Sequence, residues 1–162
     1  MSAATMSWVL AALLLGVATG MRTFTPMALL CWFARLGYLP VAGTWAEWTA
    51  RFWVASVFTV LAVGELIGDK LPRTPNRTAP GPLIARLAFA SLAGSICAMA
   101  MNEPELEGVV LGVAGAILGA FGGFAIRRGL VEKVGCADWP IALTEDFSAI
   151  VVATFALHIV TG

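Results

Sequence analysis

Five apolar stretches, each close to the length needed to cross a bilayer, constrain this chain more than any other feature of its sequence. They cover residues 8–33, 52–70, 82–101, 107–126 and 140–160. A hydrocarbon core of about 30 Å takes about 20 helical residues, and backbone polar groups in lipid must be satisfied within the spanning segment. The pattern predicts an all-α fold: one integral membrane domain over residues 1–162, built as a polytopic helix bundle of about five spans. Composition agrees, with 59% of residues hydrophobic and 12% charged, roughly half the charge of an ordinary soluble domain. A soluble globular enzyme is excluded. Ten basic and ten acidic residues cancel, which leaves no basic field to hold nucleic acid.

The first stretch is too long for one span and is interrupted by Arg22 and Pro26. Proline breaks a helix interior but is tolerated in the first turn, and Thr25 before it is a good N-cap. Two arrangements follow. Either the segment is one kinked span, with the N-terminus cytoplasmic, or it breaks between Gly20 and Pro26 and turns back, with the N-terminus outside. The apolar run from Ser7 to Met21 has no basic residue before it, so it reads as a retained membrane segment and not as a signal peptide.

Basic residues set the orientation of the remaining spans. Lys70, Arg73 and Arg77 lie between the second and third, with Arg86 just beyond; Arg127, Arg128 and Lys133 lie between the fourth and fifth. Both connections are expected to be cytoplasmic. The connection holding Glu103, Glu105 and Glu107 has no base and belongs outside, as does the loop holding Tyr38, Trp45 and Trp48. Those three rings suit the headgroup interface, where one edge stays wet.

Small residues at four-residue spacing let helices approach closely in lipid. They occur at Gly16 and Gly20, Gly64 and Gly68, and Ala90, Gly94 and Ala98. The richest run is Gly108, Gly112, Gly115, Gly119 and Gly123 on the fourth span, which is expected to be a central stave or the face of a homodimer.

Charge inside the spans is the strongest functional signal, because an ionisable group at membrane depth costs about 2.5–3.5 kcal/mol on insertion scales and persists beside a partner or a wet cavity. Arg22, Glu65, Asp69, Glu145 and Asp146 are such groups, and they are the candidate ion or substrate pathway. Glu65 and Asp69 share one helical face. Lys70, Arg73, Arg77 and Arg86 stand where inner-leaflet headgroups lie and are the candidate contacts for a lipid phosphate or other anion. The same residues also admit a purely structural role, in which carboxylates neutralise arginines and fix the register of the spans.

Catalytic chemistry has little to draw on. Cys31, Cys97 and Cys136 are far apart, His158 is the one histidine, and neither a metal nor another cofactor is expected. The Lys70-x6-Arg77 spacing resembles the first motif of the type 2 phosphatidic acid phosphatases, but those enzymes need two histidines. The chain therefore reads as a non-enzyme.

Three motifs carry a broader resemblance: Gly16-x-x-x-Gly20-x-Arg22-x-Phe24-x-Pro26, Glu65-x-x-x-Asp69-Lys70-x-Pro72-x-x-Pro75-x-Arg77, and Ala142-x-x-Glu145-Asp146. Together they resemble the bacterial integral membrane proteins of domain-of-unknown-function family 4126. The resemblance implies a small multi-pass protein of the inner (plasma) membrane, with membrane lipids as its surroundings, and names no substrate. The expected function is a channel or transporter for an ion or small polar solute. The alternative is a phospholipid- or polyprenyl-phosphate-binding protein with a structural role.

Overall fold

The computed structural model describes residues 3–69, 79–132 and 138–162. Six α-helices account for most of them: α1 (Ala3–Met21), α2 (Phe24–Arg35), α3 (Phe52–Gly68), α4 (Pro80–Ala100), α5 (Glu105–Glu132) and α6 (Asp138–Thr161). A single 3-10 turn, Glu47–Ala50, lies between α2 and α3, and the described residues contain no strand. The all-α membrane bundle expected from the sequence is what forms.

Three helices, over Pro80–Ala100, Glu105–Val131 and Trp139–Thr161, are long and apolar enough to cross a membrane, and the apolar helices Met6–Met21 and Phe52–Gly68 are shorter. At 1.5 Å per residue α5 reaches about 42 Å, whereas α2 reaches only about 18 Å. The first predicted segment is therefore two helices of unequal length. α2 begins at Phe24, with Thr23 in the cap position at helical φ −67° and ψ −51° and with no side-chain cap. That corrects the expected start at Thr25 and Pro26. Pro26 falls third in α2, where an amide would have had no partner within the helix anyway. Proline also sets the start of α4, because Ala79 is extended (φ −64°, ψ 149°) before Pro80, as a residue preceding proline must be.

Of the two arrangements open for the first segment, the structure adopts the one that turns back. A Cβ on Gly115 would strike Leu13 and Val17, and one on Gly119 would strike Val17. Gly16 and Gly20 meet Gly112 and Ala116 in the same way. Each step of four along α1 matches a step of four along α5, so the two helices are parallel. α4 is antiparallel to α5, because Gly108 meets Gly94 and Ala98 while Gly112 meets Ala90. α2 then runs opposite to α3: the Phe24 amide reaches Glu65, while the Trp32 indole donates to Thr59 at 3.0 Å and stacks edge-on with Phe52. The loop after α2 ends beside the start of α5, where Trp45 donates to Glu105 at 3.0 Å. The start of α1, the 36–51 loop and the α4–α5 turn thus share one end of the bundle. The α1–α2 break shares the other end with the start of α4.

Close packing explains why glycine is needed between these helices. At Gly16, Gly20, Gly94, Gly108, Gly112, Gly115 and Gly119 an added Cβ would come under 3.0 Å from a backbone atom of the neighbouring helix. Of the α5 glycines that suggested a dimer face, Gly115 and Gly119 are occupied inside the chain against α1, and Gly108 and Gly112 against α4. α1, flanked by α4, α5 and α6, is the central helix. Gly64 and Gly68 behave differently from the expectation of tight packing: nothing lies within 4 Å of either. Spacing alone could not tell which side of α3 would face a neighbour.

Away from the break, the interior is apolar. Trp8, Ala11, Ala12 and Leu15 of α1 join Leu30, Ile96, Cys97, Ala153 and Leu157 in one buried cluster. Leu39, Val41 and Ala46 from the loop close it, so that loop is folded into the bundle. Tyr38 and Trp45 stay exposed, as interfacial rings should.

Candidate functional site: an ion cluster at a helix break

The break between α1 and α2 leaves two kinds of orphan, carbonyls at the end of α1 and amides at the start of α2, with the guanidinium groups of Arg22 and Arg86 close by. A helix end carries about half an elementary charge, positive at its N-terminus and negative at its C-terminus. Each end here faces a side chain of opposite sign from another helix.

Glu65 of α3 takes the amides. The backbone N–H groups of Thr23 and Phe24 donate to Oε1 and Oε2 of its carboxylate at 2.8 and 2.9 Å. Arg86 of α4 takes the carbonyls, its Nη1 donating to the oxygens of Gly20 at 2.8 Å and Met21 at 2.7 Å. Glu65 and Arg86 also face each other, 3.6 Å apart. Arg22 sits in the break itself, 1% exposed, and is paired with Asp69 of α3 and Asp146 of α6. One residue earlier on α6, Glu145 lies 3.9 Å from Arg127 of α5. Burying any one of these charges alone would cost several kcal/mol, and the pairing makes their depth tolerable.

All five candidate pathway residues, Arg22, Glu65, Asp69, Glu145 and Asp146, therefore gather at one end of the bundle. Arg86 joins them, which corrects its assignment to a lipid headgroup: it is 4% exposed and turned toward the end of α1. The other anion-contact candidates, Lys70, Arg73 and Arg77, lie outside the described residues, as do Lys133 and Cys136. Sequence reasoning missed two features of this site. One is that Glu65 and Arg86 hold backbone groups; the available signal was a carboxylate and an arginine in apolar helices that both reach the level of a break. The other is Arg127 as the partner of Glu145. Thr25, expected to cap α2, is buried, and its hydroxyl has no hydrogen-bond partner among the described residues.

Beside the cluster, α5 and α6 diverge. A cavity of about 210 Å³ opens between them. Ile126, Leu130 and Ile141 form its apolar wall, Met21 connects it to the break, and Arg127 and Glu145 provide its charge. Among the described residues no group of three or more potential ligands could hold a metal ion.

The arrangement can hold helices, and it can respond to charge at the cavity. Against known proteins, neither a curated protein nor a solved structure matches the chain. A family model does match, over residues 9–160. The charged cluster of Arg22, Glu65, Asp69, Glu145 and Asp146 falls wholly within that match, and the chain belongs to the family described as domain of unknown function DUF4126.

Proposed function

We propose that the chain is a multi-pass protein of the bacterial inner membrane that binds a phosphate-bearing lipid at its charged end, and that its buried ion cluster is structural. The observation that carries this reading is the direction of the charges. Glu65 and Arg86 are turned onto the chain's own helix ends, and Arg22 is enclosed by two carboxylates. In broken-helix transporters such ends are left for the substrate or coupling ion. Here they are taken. Beyond the cluster, the interior around Trp8, Leu15 and Ile96 is lined mainly by apolar residues.

Depth supports the lipid half of the proposal. Glu107 and Arg127 are twenty residues apart on α5, about 30 Å along a helix, which is the thickness of the hydrocarbon core. A spanning α5 brings Arg127 and Arg128 to headgroup level, on the cytoplasmic side by the excess of basic residues there.

The transport reading has one observation in its favour. Glu145 lines an open cavity and is joined through Asp146 to Arg22, so a proton or cation entering the cavity would meet carboxylate first. Reconstitution separates the two. The protein is purified in mild detergent, its retained phospholipid is extracted and quantified, and ion and proton flux is measured in liposomes alongside folded yield. Retained phospholipid without flux above empty liposomes is the expected result. Flux in wild type that disappears in correctly folded Glu145→Gln would overturn the proposal in favour of transport.

A further inference from the structure

We infer that the inner end of α3 is a hinged latch: the helix is anchored by apolar packing toward its outer end, Glu65 and Asp69 fasten its last turn to the helix break, and release of that turn uncovers the start of α2.

Packing along α3 is uneven. The helix lies at the edge of the bundle, mainly against α2. Near its start Val54 and Ala55 are buried with Cys31, and Trp32, Trp48 and Phe58 pack against them. Phe58 extends this anchor to α4, its ring edge-on to Phe89 at 5.9 Å. Ala62 is the last buried residue of the helix. Leu61, Val63 and Ile67 are exposed, and a Cβ on Gly64 or Gly68 would meet nothing within 4 Å. By contrast, α1 and α4 both lie in backbone contact with α5. Regions with few buried apolar contacts are where a protein opens locally, well below the free energy of global unfolding. Gly64 directly precedes Glu65, and glycine weakens a helix interior relative to alanine, which places the bend there.

Release is tolerable because the groups left behind keep partners. Arg22 is shared between Asp69 of α3 and Asp146 of α6, so it stays paired when Asp69 leaves, whereas a guanidinium buried alone would forbid the movement. Arg86 stays on the carbonyls of Gly20 and Met21. Of the two carboxylates on Arg22, Asp69 is the one placed to leave. Its side chain is 21% exposed against 10% for Asp146, and it stands at the C-cap of α3, where the helix dipole disfavours an anion. The amides of Thr23 and Phe24, which Glu65 covers in the closed form, are what the movement opens. The latch thus controls whether the start of α2 faces Glu65 or the membrane surface.

Pulsed electron resonance on spin-labelled cysteines, in a cysteine-free protein reconstituted into lipid nanodiscs, tests this. One pair, at Ile67 and Ile84, reports the inner ends of α3 and α4; a second, at Trp53 and Leu106, reports the outer end, and all four positions are exposed. Asp69→Asn should raise the ratio of long to short inner distances about ten-fold, the worth of one hydrogen bond to a charged group, with the outer pair unmoved. Asp146→Asn leaves Arg22 to Asp69 undivided, so it should narrow the inner distribution, and it supplies the test if Asp69→Asn fails to fold. An inner distribution unchanged by Asp69→Asn, or one that Asp146→Asn broadens, would overturn the latch. Movement of both pairs together in Asp69→Asn would overturn the hinge, because α3 would then be leaving as a rigid whole.

Discussion

Replacing Glu65 should be among the most damaging single changes in this chain, and the reason lies in the backbone more than in its ion pair. Its carboxylate accepts the amides of Thr23 and Phe24 at 2.8 and 2.9 Å, and its side chain is 9% exposed, so water cannot take over either bond. Hydrogen bonds to a charged acceptor contribute about 1.5–3 kcal/mol each. Glu65→Leu loses both and leaves Arg86 facing an apolar group, for an expected cost of about 3–5 kcal/mol, in line with breaking a buried pair. Glu65→Gln keeps one acceptor oxygen and the same shape, so about 1–2 kcal/mol is expected. Arg86→Met strips the cap from Gly20 and Met21 and should cost about as much as Glu65→Leu.

The double variant Glu65→Leu, Arg86→Met discriminates between explanations. If the ion pair were the whole interaction, deleting both partners would restore nearly full stability, as removal of some buried pairs does. Here the double variant should recover only the direct coupling across 3.6 Å, about 1–3 kcal/mol, because two amides and two carbonyls remain orphaned. Unfolding by detergent titration in mixed micelles, followed by circular dichroism, gives all four corners of the cycle. A Glu65→Leu variant within about 0.5 kcal/mol of wild type, or a double variant as stable as wild type, would refute the capping argument.

Two further predictions concern packing and topology. Gly112→Ala places a methyl group against the Ala90 carbonyl and should lower stability by several kcal/mol, whereas Gly64→Ala meets nothing within 4 Å and should be neutral or gain up to about 1 kcal/mol of helix propensity; the same titration reads both, and equal effects would contradict the glycine seam. Single cysteines replacing Met6 and Glu103 in a cysteine-free background should react with a membrane-impermeant thiol reagent from one face, and a cysteine at Arg128 from the other; labelling of Met6 and Glu103 from opposite faces would rule out the turn between α1 and α2.

The long helices were legible because length and hydropathy alone decide them: α4, α5 and α6 each hold some 20 apolar residues between proline, glutamate or basic boundaries. An interruption was legible too, since Arg22 and Pro26 do not fit an unbroken, straight span, although a kink and a break remained alternatives. Its direction was not. A break says that the chain leaves the helix, and only the match of Gly16 and Gly20 with Gly112 and Ala116 fixes where it goes next. Gly64 and Gly68 failed for a related reason: four-residue spacing describes a face without naming its neighbour. The charged residues were found by the cost of burying them, but their partners were sought among other charges. Four of the five contacts described for Glu65 and Arg86 are to backbone groups, which carry no letter in a sequence.

Charges in apolar segments suggest transport when only the sequence is considered, while the backbone groups they contact support the structural role proposed above. A helix broken inside a membrane frees backbone dipoles that lipid cannot satisfy, and evolution has two ways to meet the debt. One is a substrate or ion that comes and goes, which yields a transporter; the other is a side chain fixed on a neighbouring helix. Both demand an anionic group at the start of the second helix and a cationic group at the end of the first, so both leave charges in apolar segments. The difference is reach. Glu65 and Arg86 each stand on a helix packed beside the break and contact it directly, and this is the observation on which the structural role we propose rests. The same contacts couple α3 and α4 to the turn between α1 and α2, and Asp146 adds α6 through Arg22. α5 is tied in at this end by close backbone packing, its Ala116 and Ala120 against Gly20 and its Gly119 against Val17, and by Arg127 lying 3.9 Å from Glu145. The cavity opens beside that pair, and the lipid phosphate proposed above would meet Arg127 there.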